Sequence, residues 1–290
     1  MKISDIMEKR MLFSFEVFPP KDDQPIEPLF GVIDKLNDNF RPDFISCTYG
    51  AGGSNKGRSS EICKYIGKLG NTLPVSHFTC IGNTCQDVED IIGEYIKFGV
   101  LNFLLMRGDY PPGQTGTGGD FSHADSLIKY VHTLYPHVGI AAACYPEKHI
   151  TAPSMDYDIA FMRVKQDNGA DLFMTQLCFD IDNYRRFADM VRAANITLPV
   201  SVGIMPVLSK DATIRMAVSN GCSIPASLAE IMGKYGGNDA DFKKAGKEWT
   251  VNLIYKYMAA GIDGVHLYTL NKYDDVADIV NWSGLRKTSP

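Results

Sequence analysis

The chain has 290 residues, 45% of them apolar and 22% charged, and a formal net charge of −5. This is the balance of an ordinary water-soluble globular protein, and it offers no basic surface for nucleic acid. No apolar run approaches the ~20 residues of a membrane helix, and MKISDIMEKR has no apolar core of a signal peptide, so a cytoplasmic protein is expected.

Short β-rich apolar runs recur along the chain with helical patterns between them. They are LFSFEVF (12–18), DFISCTY (43–49), PVSHFTC (74–80), LNFLLMR (101–107), GIAAACY (139–145), DLFMTQLCF (171–179), PVSVGIM (199–205) and GVHLYTL (264–270). Most begin about thirty residues apart, the size of one βα unit. Between the third and fourth runs, TCQDVEDIIGEYIKFG places Asp87 at capping-box spacing from Thr84 and ends at Gly99. DIDNYRRFADMVRAAN (180–195) reads as a similar helix, and the long gap before the last run must hold extra helix, including 242–261. The strands are almost continuously apolar, as parallel strands covered on both faces are. Eight such units predict a single (β/α)8 TIM barrel, one domain over residues 1–290. A doubly wound sheet is the alternative, but no GxGxxG or GxxxxGK[ST] follows a strand. The glycine cluster GQTGTGGD (113–120) reads as one long βα loop.

Chemistry in such barrels gathers at the C-terminal ends of the strands. Polar residues stand at seven of these eight ends: Glu16; Thr48; His77 and Thr79; Arg107 and Asp109; Tyr145, Glu147 and His149; Thr175, Gln176 and Asp180; Tyr268, Asn271 and Lys272. Each has a bland reading alone. Glu16 can sit in a buried ion pair, Arg107 can pair with Asp109, His77 can be a satisfied core histidine, and the tyrosines can be rim aromatics. Together they favour a polar cavity at the barrel mouth. No HExxH or HxH spacing supports a metal site, and no elbow motif supports a serine or cysteine nucleophile. The seven cysteines are scattered, without CxxC, and read as reduced, buried thiols. An organic cofactor suits the aromatic and amide content better.

The blocks FSFEVFPPK, SCTYGAGGS, HFTC, LLMRGDYPP, AACYPEKH, GADLFMTQLCFD, GIMPV and HLYTLNK occur in that order. With them the chain resembles the catalytic barrel of the methylenetetrahydrofolate reductases, from about Phe13 to Lys272. The resemblance implies an FAD-dependent reduction of 5,10-methylenetetrahydrofolate to 5-methyltetrahydrofolate. Glu16 matches the general acid that opens the folate ring, and desolvation on an apolar strand is expected to raise its pKa. Asp109 matches an aspartate near flavin and pterin, and Gln176 an amide that orients the pterin. Thr48, His77, Arg107, Ala143, Tyr145, His149, Asp158 and Lys165 match FAD-holding positions; His123 and Ala124 lie in the FSHAD block near the same cofactor. Tyr268 and Lys272 match positions at the substrate mouth, where some members carry Arg in place of Lys272.

Three departures stand out. Ala212 and Met216 occupy the places of an amide and a phenylalanine that sandwich nicotinamide and folate in NADH-using bacterial members. His123 replaces a tyrosine, and Phe161 and Val164 replace polar FAD contacts. With the sequence ending at Pro290, no C-terminal regulatory domain like that of the animal enzymes is expected. The electron donor is therefore either NAD(P)H or a partner subunit carrying iron–sulfur clusters, in a homo- or hetero-oligomer. A flavin-free pterin-binding methyltransferase and a non-catalytic barrel subunit are the competing readings, the latter disfavoured by Glu16.

Overall fold

A computed structural model describes residues 1–7, 10–49, 56–110, 113 and 115–286. The segment Gly50–Gly53 of the second strand end, and Pro111, Pro112 and Gln114, lie outside the described residues.

Eight parallel strands close into a barrel in chain order. They are β1 (Leu12–Val17), β2 (Phe44–Cys47), β3 (Leu73–Thr79), β4 (Asn102–Met106), β5 (Gly139–Cys144), β6 (Leu172–Thr175), β7 (Val200–Ile204) and β8 (Gly264–Tyr268). The ring closes where β1 pairs with β8, with Glu16 in register with Tyr268. The (β/α)8 barrel expected from the repeat is therefore present.

Alternation along each strand divides two cores. Phe13, Phe15 and Val17 of β1 point outward into the large cluster shared with the helices. Leu12, Phe44, Val75, Leu104, Ala141, Leu172 and Met174 fill the barrel interior. Cutting a buried leucine here, such as Leu12, Leu104 or Leu172, to Ala costs about 2–5 kcal/mol. Towards β1, β2, β3 and β8 the interior turns polar, with Ser14, Ser46, His77 and His266 all buried.

The helices start where their sequences supply caps. A capping box joins Thr84 and Asp87 at the head of α4 (Cys85–Lys97), and Gly99 takes the left-handed conformation after it. Ser154 caps α6 (Met155–Asp167), and Asp180 caps α7 (Ile181–Ala193). The long gap before β8 holds α8 (Lys210–Asn220), α9 (Ala226–Tyr235) and α10 (Asp239–Ala259). The remaining helices, in chain order, are α1 (Ser4–Met7), α2 (Glu27–Phe40), α3 (Lys56–Lys68), α5 (Ala124–Leu134) and α11 (Tyr273–Ser283).

The sixth strand is shorter than the apolar run 171–179 suggests. Gln176 N still donates to Cys144 O at 2.8 Å, but its own side-chain Oε1 then accepts from Leu177 N at 2.8 Å. That bond takes the next backbone donor out of the ladder and turns the chain away.

Candidate active site

A cavity of about 520 Å³ opens at the C-terminal ends of the strands. Its lining includes Glu16, Thr48, His77, Asp109, Ala143, Tyr145, Gln176, Met216 and Tyr268, each named from the sequence. The structure thus brings together residues from seven strand ends.

Glu16 stands at the floor, its side chain 18% exposed. Its Oε2 lies 3.4 Å from His266 Nε2 and 3.5 Å from His77 Nε2. On the far side of the His266 ring, Nδ1 is 2.7 Å from Ser14 Oγ. Phe44 stacks on that ring at 5.6 Å and Tyr268 meets it edge-on at 5.6 Å. The imidazole is therefore held in plane and in place between a carboxyl and a hydroxyl.

The expected rise in the Glu16 pKa is not what this setting produces. Burial does push the carboxyl up, but the His266 hydrogen bond and the charges of His77 and His266 together bring it below 4.5. For His77 the balance runs the other way for the charged form. Burial lowers its pKa and outweighs the pull of Glu16, with His266 adding to the lowering. Among the described residues, His77 Nε2 is buried without a hydrogen-bond partner, with Glu16 Oε2 3.5 Å away. His77, matched from the sequence to flavin, thus also borders the acid.

His266 and Ser14 went unnamed in the sequence. The available signal was alternation: in GVHLYTL, His266 shares the inward face with Tyr268, two residues on. Ser14 likewise lies two residues before Glu16.

Tyr268 is half-buried in the cavity wall. Its hydroxyl donates to Thr175 O at 3.1 Å, and burial raises its pKa far above 10. The ring fits because Gly203 of β7 has no side chain: a Cβ there would sit 2.4 Å from the Tyr268 hydroxyl and 2.4 Å from Thr175 O. Gln176 is oriented by the bond from Leu177 N, which leaves its NH₂ to face the cavity as a donor. Asp109 is exposed on the rim of the same cavity, after Gly108, whose φ of +83° turns the chain against Thr79 and Ile81.

A second group lies beside the cavity, around the β5 end and α6. His149 N donates to Asp158 Oδ2. Tyr145 packs edge-on to His149 at 4.8 Å. Thr151 N donates to His149 Nδ1 at 3.1 Å, so in the neutral ring the proton sits on Nε2, free to be donated. Burial lowers the Lys165 pKa, and its Nζ donates to Ala143 O at 2.8 Å. Arg107 lies over the Tyr110 ring at 4.5 Å. His123 is exposed, 6.0 Å from Phe161, at the head of α5, and Ala124 is buried behind it. Lys272 is exposed at the N-terminus of α11 and is not part of the cavity wall. Among the described residues no group of three His, Cys, Asp or Glu side chains is arranged to hold a metal ion.

The sequence model described as methylenetetrahydrofolate reductase matches residues 2–284. The chain belongs to the methylenetetrahydrofolate reductase family. Methylenetetrahydrofolate reductase 1 of Schizosaccharomyces pombe is 31% identical over 98% of this chain, but over only 49% of its own length. The 5,10-methylenetetrahydrofolate reductase of Escherichia coli is 30% identical over 94% of the chain and 90% of the relative. The chain thus spans about half the length of the fungal and plant reductases it matches. Among solved structures, an uncharacterized protein from Clostridium thermocellum that binds two copies of 5-methyl-5,6,7,8-tetrahydrofolic acid has a TM-score of 0.67, at 13% identity and 97% coverage of both chains. At that identity the likeness establishes the shared fold.

The reductase family and the closed barrel agree with the sequence resemblance. No helix among the described residues is long and apolar enough to cross a membrane.

Proposed function

We propose that this barrel is a single catalytic unit that reduces 5,10-methylenetetrahydrofolate to 5-methyltetrahydrofolate, with Glu16 as general acid and FAD as cofactor. The observation that carries it is the Glu16 carboxyl at the floor of the cavity, bonded to His266, with Asp109 and Gln176 in the same lining.

The residues fit the cofactor. Thr48, His77, Ala143 and Tyr145 line the cavity, which suits a flat ring system. Arg107, Lys165 and the free Nε2 of His149 supply cations and a donor for a pyrophosphate beside it. Asp158, fixed on His149 N, faces the same region. His123 and Ala124, at the head of α5, are assigned to the far end of the dinucleotide. Bound FAD supplies a two-electron hydride donor.

The protein's own part is proton transfer and orientation. Asp109 accepts from the N–H groups of the aminopyrimidine edge, and the Gln176 NH₂ donates to an acceptor on the pterin. Tyr268 and Met216 shape the wall, and Lys272 meets the acidic tail from outside. Glu16 donates a proton to the bridging nitrogen, whose bond to the methylene carbon breaks to leave an iminium ion, and that carbon takes the hydride. The histidine contacts favour the carboxylate, so Glu16 takes its proton from solvent as substrate covers the floor, with His266 holding the carboxyl in place. Substrate binding removes water and strengthens desolvation, the one influence that raises the carboxyl.

The electrons come from NAD(P)H or from an iron–sulfur partner subunit. Met216, 39% exposed on the cavity wall, offers a flexible thioether and no planar ring for nicotinamide. An anaerobic visible spectrum, titrated with NADH, NADPH and 5-methyltetrahydrofolate, tests both parts. A flavin band bleached by methyltetrahydrofolate supports the folate chemistry, and its absence contradicts it. Bleaching by a nicotinamide makes the chain self-sufficient; bleaching by the folate alone assigns the electrons to a partner.

A further inference from the structure

The end of β1 is held by an arrangement that neither the cavity lining nor the strand ladder explains. Beyond Val17 come Phe18, Pro19 and Pro20, and a proline has no N–H to offer. The last backbone donor of this segment is therefore Phe18 N. It donates to Asn271 Oδ1 at 3.3 Å, while Asn271 Nδ2 donates to Phe18 O at 2.8 Å. One amide thus grips both backbone groups of one residue, and this pairing fixes which way the amide points.

The grip extends to the acid. Thr269 Oγ1 donates to Glu16 O at 2.6 Å, Thr269 N donates to the same oxygen at 3.1 Å, and Asn271 N donates to Thr269 Oγ1 at 3.1 Å. Thr269 N thus makes the last bond of the β1–β8 ladder, and the Thr269 hydroxyl and the Asn271 amide extend the hold beyond it to Phe18.

This costs backbone strain. Leu270 and Asn271 both adopt the left-handed region, with φ of +50° and +54°. Asparagine tolerates it, but for leucine it is uncommon, and such residues persist where the surroundings over-determine them. The turn carries Leu270 into the cavity wall beside Phe18, which is 42% exposed.

We propose that Asn271 is a positioning residue: its two-sided hold on Phe18, relayed through Thr269, fixes the Glu16 backbone and so sets the carboxyl against His266. Its chemical consequence rests on the function proposed above; the geometric claim does not.

The variant that separates the amide from the backbone is Asn271→Gly, since glycine adopts the left-handed turn without strain and lacks only the grip. The first readout needs no substrate: the titration of the Glu16 carboxyl by ¹³C NMR in glutamate-labelled protein, assigned by loss of the signal in Glu16→Gln. The groups facing Glu16 are His266, His77, Cys47 and Tyr268. Freed from its place, the carboxyl either loses His266 and keeps its burial or moves towards solvent, and both raise the midpoint. A raised midpoint in Asn271→Gly is expected, and an unchanged one overturns the proposal. If that variant does not fold, Asn271→Asp replaces it, keeping the acceptor for Phe18 N but losing the donor to Phe18 O, with the same two outcomes.

The second readout is folate-driven oxidation of pre-reduced flavin. A loss of about tenfold in the rate at saturating folate is expected, in line with the cost of small misplacements of a reacting group. An unchanged rate overturns the positioning role. A wild-type protein with no folate reaction contradicts the proposed function, and the carboxyl titration still decides the clamp.

Discussion

Glu16 and His266, 250 positions apart in sequence, meet across the seam where the barrel closes, with Oε2 and Nε2 at 3.4 Å. The register of β1 on β8 makes this contact, because Ser14 pairs with His266 and Glu16 with Tyr268. The His266 ring therefore spans two of the inward side chains of β1, Ser14 and Glu16.

That contact sets the acid's titration. Removing it in His266→Ala takes away the hydrogen bond and the electrostatic influence that lower the carboxyl and leaves burial to act, so the Glu16 pKa rises. A general acid with a raised pKa keeps its proton to higher pH. The alkaline limb of the pH profile for folate-driven flavin oxidation is expected to move upward, with a lower rate at its plateau because the carboxyl is no longer held in place. A limb that stays in place would remove His266 from the acid's control.

Stability should fall on the acid side. His77 has a folded pKa depressed below 6.5 by burial, so the folded state favours the neutral ring. A depressed histidine contributes stability that is full above 6.5 and is lost as pH falls through that value towards the folded pKa. Glu16, lowered from 4.5, loses its contribution at still lower pH, as it falls through its folded value. His77→Gln should flatten the decline in melting temperature just below pH 6.5; an identical decline would assign it to other groups.

Gly203 is a steric requirement of the site. In Gly203→Ala the added methyl meets Thr175 O and the Tyr268 hydroxyl, both at 2.4 Å. The expected loss is about 1–3 kcal/mol in urea unfolding, typical of overpacking. Weaker folate binding should accompany it as Tyr268 shifts.

Met216→Phe tests the electron donor. A planar ring at this exposed position on the wall should raise the rate of flavin bleaching by NADH relative to the parent, measured by stopped-flow absorbance. No gain would place the limitation elsewhere, with Ala212 the next candidate.

Much of this architecture was legible in the sequence. The eight apolar runs mark the eight strands, and Thr84 with Asp87 marks a helix start that is realised. Strand-end position alone gathered Glu16, Thr48, His77, Asp109, Tyr145, Gln176 and Tyr268 into one cavity. The acid's environment was not legible, because it depends on closure: only the β1–β8 register brings His266 to Glu16, and so only the fold reverses the expected pKa shift. That Lys272 stands outside the cavity wall was not legible for a related reason. The left-handed turn at Leu270 and Asn271 carries Leu270 into the cavity wall, while Lys272 stands exposed at the helix start.

The most direct test of the central claim uses Glu16→Gln and separates the two half-reactions anaerobically. Reduction of the flavin by its electron donor should proceed as in the wild type, with flavin fully retained. Oxidation of the reduced flavin by methylenetetrahydrofolate should fall by about 10²–10⁴-fold, the usual share of a general acid. Wild-type rates of folate-driven oxidation in Glu16→Gln would contradict the account.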